Sequence, residues 1–245
     1  MKIAIISDIH SNLEALRKVF RHMQKSKISR IYCLGDIIGY GPFPRECLAL
    51  IRKKCEKIVK GNHEDSLCLP DLGKNHLNEE AYLGLQFSRK KLHDGEIAFL
   101  SRLPSCEIIK EYGITLCHGA FTEPQISKYI MTEEEAILEL SKIKTKICLI
   151  GHTHMPFIIG SKSGTLDLFD TDRLLNKDEK YLINVGSVGQ PRNGDCCASY
   201  AVIEWRGNEI IFNLHRVFYK ISKTEDAILN AGLPRYLAER LYRGE

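Results

Sequence analysis

The chain has 245 residues, of which 44% are hydrophobic and 27% are charged. These proportions are typical of a globular protein with a large core, and they exclude a disordered, collagen-like or coiled-coil chain. The net charge of +4 is small for this length, and the sequence contains no run of five basic residues. The composition therefore gives little support to nucleic-acid binding.

The first segment, MKIAIISDIHSN, contains too short an apolar run for a signal peptide or a membrane span, and it predicts a buried strand. The nine cysteines are an odd number without CxxC spacing, and several lie in apolar runs such as IYCLG. This pattern favours reduced, buried thiols in a cytoplasmic protein. It leaves open the role of the adjacent residues Cys196 and Cys197.

Apolar runs alternate with amphipathic stretches over the first 60 residues. We predict strands at 2–7, 30–34 and 55–60 and helices at 12–26 and 43–54. Strands and helices in this order predict βαβ units and a mostly parallel sheet.

Residues 79–103 predict two helices, which end at Pro104. These helices are expected either to cap a site or to cover one face of the sheet. Strands follow at 105–109 and 113–117, and a further helix begins at the capping-box pattern Thr132-x-x-Glu135. The apolar run KICLI then predicts another strand.

After Gly151 the sequence pattern changes to short segments in which apolar and polar residues alternate between turns. Such alternation predicts antiparallel hairpins, and we expect them to complete a second sheet. The predicted strands are 156–161, 164–169, 180–185, 198–205 and 208–217. The end of the chain, 221–245, predicts a tail of two short helices interrupted at Gly232 and Pro234.

Five predicted strands run directly into small or polar residues and then into side chains that can bind metal. These endings are IAIISDIH, IYCLGD, KIVKGNHE, ITLCHG and ICLIGHTH. A single ending of this kind is more often an ordinary turn, but five in one chain are difficult to explain by chance. Because the ends of parallel strands meet at one edge of a sheet, we expect these side chains to form one site.

The five endings offer two carboxylates, one amide and four or five imidazoles, namely Asp8, Asp36, Asn62, His10, His118, His152, His154 and, as the fifth imidazole, His63. One zinc ion takes three or four protein ligands, so this set predicts two ions that share a carboxylate. The many nitrogen donors favour Mn, Fe, Co, Ni or Zn over Mg or Ca. Two divalent ions would leave the site positively charged, which suits the hydrolysis of an anionic phosphate ester.

In this order, the motifs DIH, GD, GNHE, HG and GHTH resemble those of the calcineurin-like metallophosphoesterase superfamily. The likeness extends through NVGSVGQPRNGD to about residue 205, and DIHSN and GDIIGYGP are most similar to its small prokaryotic phosphodiesterase branch. The resemblance implies an α/β fold, a four-layer α/β-β/α sandwich of two mixed sheets flanked by helices. We accordingly expect a metallophosphoesterase domain at 1–220, with 79–103 as a candidate helical cap, and a helical tail at 221–245.

The resemblance also implies which residues hold each ion. One metal would be bound by Asp8, His10, Asp36 and His154, and the other by Asp36, Asn62, His118 and His152. The implied catalytic residues are Asp36, which bridges the ions, and His63, which lies beside the leaving group.

Three further residues are candidates for substrate binding, each with an ordinary alternative. Arg192 follows Gly186, Ser187 and Gly189, which could form a phosphate-binding nest or only a hairpin loop. Tyr40 could stack on a base or sugar, or anchor a turn. Asn12 could support the metal ligands, or cap the next helix. The remaining histidines, His22, His76, His93 and His215, are interpreted as ordinary solvated or packed residues.

The leading functional hypothesis is a cytoplasmic phosphodiesterase that acts on a small molecule or nucleotide, with diadenosine tetraphosphate as an alternative substrate. A non-catalytic metal-binding scaffold and a nuclease are the alternatives from other classes. Protein phosphatases of the superfamily read GDxxDRG, whereas this chain has Gly39 and Tyr40 at the aspartate and arginine positions. Protein phosphatase activity is therefore disfavoured, and the oligomeric state is left open.

Overall fold

The computed structural model describes residues 1–124, 128–166 and 172–245, and these ranges form two mixed sheets of six strands each. The first sheet contains, in spatial order, β3 (Lys57–Ile58), β2 (Arg30–Cys33), β1 (Lys2–Ile6), β11 (Ala198–Arg206), β12 (Glu209–Val217) and β9 (Arg173–Leu175). The second contains β4 (Cys106–Ile109), β5 (Ile114–Cys117), β6 (Ile147–Ile150), β10 (Tyr181–Asn184), β7 (Phe157–Gly160) and β8 (Gly164–Leu166).

Helices connect and cover these strands. They are α1 (Leu13–Lys25), α2 (Pro44–Lys54), α3 (Asn62–Cys68), α4 (Glu79–Lys91), α5 (Asp94–Ser101), α6 (Glu133–Lys142), α7 (Ile221–Asn230) and α8 (Tyr236–Arg243), with a 3₁₀ turn at Lys110–Tyr112. Within the described ranges, no helix combines the length and the apolar composition that crossing a membrane requires.

Strand β1 shows how alternating side chains build the layers. Ile3 and Ile5 point into the core between the two sheets, whereas Ala4 and Ile6 point into a core shared with α1 and α2. A strand that is buried on both faces must be apolar throughout, which explains the uninterrupted run IAII.

Strand β6 shows the same arrangement in the second sheet. Ile147 and Leu149 face the first sheet, and Cys148 and Ile150 pack in the cluster that contains Leu140 of α6. The layers are therefore helices, sheet, sheet and helix. This is the predicted α/β sandwich of two mixed sheets, and the fold prediction is confirmed.

Several predicted elements lie elsewhere or have other bounds. Strands β11 and β12 extend the first sheet and do not complete the second, because β11 pairs antiparallel with β1, with Ile203 opposite Ile3. β9, which was not predicted, pairs with β12 at the edge of the same sheet. β3 is only Lys57–Ile58, shorter than the predicted 55–60. The strand predicted at 164–169 is described only as β8, and its residues 167–169 lie outside the described ranges.

The expectation that all cysteines are reduced is wrong for one pair. Strands β4 and β5 are antiparallel neighbours in which Cys106 lies opposite Cys117, with Cα atoms 4.5 Å apart, and the two form a disulfide. The pairing depends on the strand register, which a separation of 11 residues in the sequence does not reveal. The other seven cysteines are free thiols.

Candidate metal centre

The predicted ligands follow the carboxyl ends of parallel strands. Asp8, Asp36 and Asn62 come after β1, β2 and β3, which are parallel neighbours in the first sheet. His118 and the GHTH segment come after β5 and β6, which are parallel neighbours in the second. The two sheets thus bring these loops together at one edge of the sandwich.

One group of possible ligand atoms comes from Asp8, His10, Asp36 and His154, all of which are buried. The Nε2 of His154 lies 3.2 Å from Asp8 Oδ1 and 3.1 Å from His10 Nε2. The Nε2 of His10 lies 3.6 Å from Asp36 Oδ2. Ligands bound at about 2.1 Å to a common ion are separated by roughly 3–3.5 Å, so this spacing fits a metal site.

A second group consists of Asp36, His118 and His152. His118 Nε2 lies 3.2 Å from the same Asp36 Oδ2. Asp36 is therefore the residue common to both groups, as a bridging carboxylate would be. The amide of Asn62 lines the same cavity as Asp36 and His152.

Backbone carbonyls orient three of the histidines. The Nδ1 atoms of His10, His118 and His154 lie 3.1, 2.8 and 2.6 Å from the carbonyl oxygens of Ile38, Leu34 and Gln190. A carbonyl can only accept, so each Nδ1 carries the proton and donates it. Each Nε2 is thereby left to face the centre, which is the arrangement that metal-binding imidazoles require.

Several polar atoms at the centre have no hydrogen-bond partner among the described residues. Asp8 Oδ1, Asn62 Oδ1 and His118 Nε2 are buried in this way. Buried polar atoms without partners are costly, and the Nε2 lone pairs of His10 and His154 also face each other. Bound cations would satisfy these atoms, so the residues fit the metal ions that the resemblance implies.

The pKa values in the cluster reflect the burial of carboxylates and imidazoles beside one another. Burial alone would raise the pKa of Asp8, but His154 and His118 outweigh it, and the pKa lies well below its usual value. Burial alone would lower the pKa of His118, but Asp36 and Asp8 raise it to about 10. Burial lowers the pKa of His10. The site therefore keeps its carboxylates ionised, and these can attract a cation.

The loops at this edge have a strained backbone. Among the described residues, nine non-glycine residues have positive φ angles. Most of these lie in the ligand loops, namely Asp8, His10, Ser11, Asp36, Tyr40, His152 and His154. Such angles cost free energy and persist where surrounding contacts enforce them, which is common at functional sites.

Glu64 was not given a role by the sequence, although it completes the motif GNHE. Its buried carboxylate accepts the N–H groups of Asp36 and Gly61, each at 2.8 Å, and those of Ile37 and Ile38 at 2.9 and 3.3 Å. Burial and the charge of Asp36 raise the pKa of Glu64 to about 7, against these hydrogen bonds. Glu64 thus joins the Asp36 loop to the start of α3.

His63 lies beside the metal groups without belonging to either. Its backbone N–H donates to Asp36 Oδ1 at 3.0 Å, and its Nε2 lies 3.9 Å from Asp36 Oδ2. A side chain at Gly39 would come within 2.2 Å of the His63 ring, so the glycine in GDIIGYG makes room for this imidazole. Burial lowers the pKa of His63, and Asp36 opposes that effect.

A cavity of about 750 Å³ opens above this centre. Asp36, Asn62, His63, His152 and His154 line its floor, together with Arg192. Much of the rest of the wall was not predicted from the sequence, and it includes Leu69, His76, Leu77, Lys128, Tyr129 and Met131. No motif marks these residues, because they come from loops that meet only in the fold.

Arg192 lines the cavity, and its role as a phosphate ligand stays a prediction. Its Nη2 donates to Gln190 Oε1 at 2.9 Å, and its Nε is buried with no hydrogen-bond partner in the part of the chain that the structure describes. Its guanidinium lies 6.0 Å from the ring centre of Tyr40.

The loop before Arg192 does not form the phosphate-binding nest that the sequence analysis considered. The N–H groups of Val188 and Gly189 donate to the carbonyls of Ser7 and Asp8, and that of Gln190 donates to Ser187 Oγ. These groups hold the loop against β1 and are not available to a phosphate.

Asn12, the second candidate substrate residue, connects parts of the fold through its side chain. Every hydrogen-bonding position of the Asn12 amide has a partner. Its oxygen accepts from Ala15 N and Thr224 Oγ1, and its nitrogen donates to the Gly189 carbonyl and the Tyr219 hydroxyl. Asn12 is therefore a helix cap and cross-link, and its assignment as a substrate ligand is wrong.

Tyr40 lines the cavity but is only 6% exposed. Its ring packs against His10 and His63, and behind it lie Leu237 and Leu241 of α8. This packing leaves little of its ring free to stack on a base. The C-terminal helices thus contact the wall of the site.

Comparison with known proteins shows the family. Residues 1–208 match the family model described as the calcineurin-like phosphoesterase superfamily domain. A curated relative, the uncharacterized protein MJ0912 of Methanocaldococcus jannaschii, is 37% identical over 249 aligned positions, covering 99% of this chain and 98% of the relative.

Solved structures agree with this match. A metallophosphoesterase from Sphaerobacter thermophilus has 34% identity and a TM-score of 0.86, with 100% of this chain and 99% of that chain covered. The hypothetical protein PH1004 of Pyrococcus horikoshii OT3 has 19% identity and a TM-score of 0.81, with coverages of 100% and 98%. The second likeness concerns the fold alone.

Proposed function

Because the chain belongs to the calcineurin-like phosphoesterase superfamily, we propose that it hydrolyses phosphate esters with two divalent transition-metal ions. The proposed ligands are Asp8, His10, Asp36, Asn62, His118, His152 and His154. The observation that carries this proposal is that two buried groups of donor atoms share Asp36 at the floor of a cavity.

Divalent ions at these positions would neutralise the charge of a phosphate and lower the pKa of a water molecule. The protein's own residues then have separate tasks. Asp36 and the carbonyl-bound histidines hold their donor atoms in place before substrate arrives. Arg192 orients a phosphate oxygen by a charged hydrogen bond. His63 supplies a proton to the departing oxygen.

The shape of the cavity supports a small organic substrate. A volume of about 750 Å³ is within the range of pockets that hold small molecules and exceeds what a bare phosphate needs. We therefore propose a phosphodiester of a small molecule or a nucleotide as the substrate, with diadenosine tetraphosphate as one alternative.

The test is turnover by protein freed of metal and then reconstituted with Mn²⁺, Zn²⁺ or Mg²⁺. We expect hydrolysis of bis(4-nitrophenyl) phosphate with Mn²⁺, loss of activity with a chelator, and loss in Asp8→Asn. His93→Ala is the matched control, because His93 is exposed and lies outside the cavity.

Three other outcomes would overturn parts of the proposal. Binding of two ions without hydrolysis of any ester would favour the non-catalytic scaffold. Hydrolysis of 4-nitrophenyl phosphate but of no diester would make the protein a phosphomonoesterase. Full activity in Asp8→Asn would place the catalytic centre elsewhere.

A further inference from the structure

Three large apolar side chains that are exposed to solvent gather at the cavity above the metal centre. Leu69, Tyr129 and Met131 are 46%, 48% and 60% exposed, and all three line this cavity. Single exposed apolar residues are common on protein surfaces, but several around one concave site indicate binding of an apolar group.

Packing of the residue between them holds Tyr129 and Met131 at the surface. Ile130, between them, is 3% exposed and packs in the core beside Ala136 and Leu140 of α6. Because Ile130 is buried while both of its chain neighbours are exposed, Tyr129 and Met131 point away from this core. The carbonyl of Lys128 also accepts the N–H of Ala120 at 3.0 Å, which fixes the start of the segment.

Tyr129 is held in a defined orientation over the metal centre. Its ring is stacked on that of His152, with ring centres 3.7 Å apart and planes 25° apart. One face of Tyr129 is therefore covered by a candidate metal ligand. The tyrosine is also about half exposed, so part of its ring remains accessible from the cavity.

Other residues that line the cavity have complementary chemistry. Leu69 and Leu77 supply apolar surface, and His76 and Asn78 bring polar side chains to the same cavity. A planar aromatic ring with polar edges matches this combination, since its face packs on apolar atoms and its edge forms hydrogen bonds.

We propose that Tyr129, Met131 and Leu69 form a subsite for a planar aromatic group of nucleobase size, attached to the phosphate that the metal centre holds. This inference rests on the proposed phosphodiesterase function and names its substrate class, a phosphodiester with a nucleoside on one side. Tyr129 thereby takes the stacking role that the sequence analysis considered for Tyr40.

The experiment compares two diesters that have the same leaving group. Thymidine 5′-(4-nitrophenyl phosphate) carries a nucleoside, and methyl 4-nitrophenyl phosphate carries none. Stacking of a base on an aromatic side chain contributes about 1–3 kcal/mol, or roughly 5- to 150-fold. We expect wild-type kcat/KM to favour the thymidine ester by a factor in this range.

The variants separate recognition from support of the metal centre. Tyr129→Ala should lower kcat/KM on the thymidine ester, mainly through KM, by several-fold more than on the methyl ester, so that most of the preference disappears. Metal content is measured for each variant. Tyr129→Phe should keep the preference, because the ring remains. Tyr242→Ala is the matched control, since Tyr242 is also 48% exposed but lies outside this cavity.

Met131→Ala and Leu69→Ala give a second test, because neither side chain stacks on a candidate ligand. Each should reduce the preference by several-fold. The inference is wrong if the wild-type protein does not prefer the thymidine ester. It is also wrong if Tyr129→Ala loses metal and its kcat/KM falls equally on the two esters. Absence of hydrolysis of either ester by wild type would instead contradict the proposed function.

Discussion

The two oxygens of Asp36 have different neighbours. Oδ2 lies 3.2 Å from His118 Nε2 and 3.6 Å from His10 Nε2, so it faces both groups of donor atoms. Oδ1 accepts the backbone N–H of His63 at 3.0 Å, which fixes the plane of the carboxylate. One side chain thus positions the ligands of both proposed ions.

We therefore expect Asp36→Asn to lose more metal and more activity than Asn62→Ala. The first change weakens both sites and leaves the cations with less compensating charge, whereas the second removes a neutral ligand from one site. Elemental analysis of the purified variants measures this directly. Full occupancy of both sites in Asp36→Asn would show that the carboxylate is not shared.

Arg192 is one of the cations that line the cavity, and we propose that it binds a phosphate oxygen. A charged hydrogen bond of this kind contributes about 1.5–3 kcal/mol, so Arg192→Ala should raise KM by roughly 10- to 100-fold with unchanged metal content. Steady-state kinetics with bis(4-nitrophenyl) phosphate test this. Arg17→Ala, at an exposed position of α1, is the control. An unaltered KM would show that Arg192 has a structural role and does not bind the phosphate.

His63 is expected to act as a general acid. Burial lowers its pKa in the free protein, but an anionic substrate beside it favours the protonated form. Proton donation contributes about 10²–10⁴-fold and matters most for basic leaving groups. His63→Ala should therefore retain metal, lose modest rate on nitrophenyl esters and lose far more on alkyl esters.

The slope of rate against leaving-group pKa decides the role of His63. Equal losses on both classes of ester would mean that His63 stabilises charge on the phosphoryl oxygens. A loss of metal from His63→Ala would make it a ligand.

The first turn of α3 is bound to the loop after β2. Glu64 joins them by accepting four backbone N–H groups from the two segments. A carboxylate suits this position because both of its oxygens only accept hydrogen bonds. The helix that supplies Asn62 and His63 is thereby held at a fixed distance from Asp36.

Glu64→Gln should disturb this connection, because the NH₂ group of glutamine would face N–H donors. Unsatisfied buried donors cost about 1–3 kcal/mol each, so we expect a lower Tm and weaker metal retention. Glu46→Gln is a matched control, since Glu46 occupies the same third position of α2 but is exposed. Equal Tm and metal content in the two variants would contradict the role of Glu64.

The metal centre lies at the edge of the sandwich where loops from the two sheets meet. Each group of donor atoms combines residues that follow strands of both sheets, with Asp36 from the first and His118 or His154 from the second. Bound ions would therefore connect the sheets at this edge. Stability of the whole domain should depend on metal, because the unfolded chain has no preformed site.

Removal of metal is accordingly expected to lower Tm reversibly. At a metal concentration 1,000-fold above Kd the stabilisation is about 4 kcal/mol, which for a domain of this size is roughly 10 °C. Thermal denaturation with and without Mn²⁺ tests this. The shift should persist in His93→Ala and shrink in Asp36→Asn. A Tm that is independent of metal would mean that the ions do not connect the sheets.

The strand endings and the family resemblance could be identified from the amino-acid sequence, and the resemblance in turn implied the sandwich. The strand endings are local features, because an apolar run that ends in DIH or GHTH indicates both a buried strand and the side chains that follow it. The helices at 79–103 and the capped helix at Thr132 were likewise predicted correctly. In each case the pattern is contained within a few turns of the chain.

Which distant segments of the chain meet could be learned only from the folded structure. The place of β11 beside β1, the Cys106–Cys117 pairing and the use of the Asn12 amide by Thr224 all depend on contacts between residues far apart in the chain or on strand register. The cavity wall at Tyr129 belongs with these, since its residues carry no motif. Local patterns specify strands and their ends, whereas packing between elements determines which neighbours each side chain has.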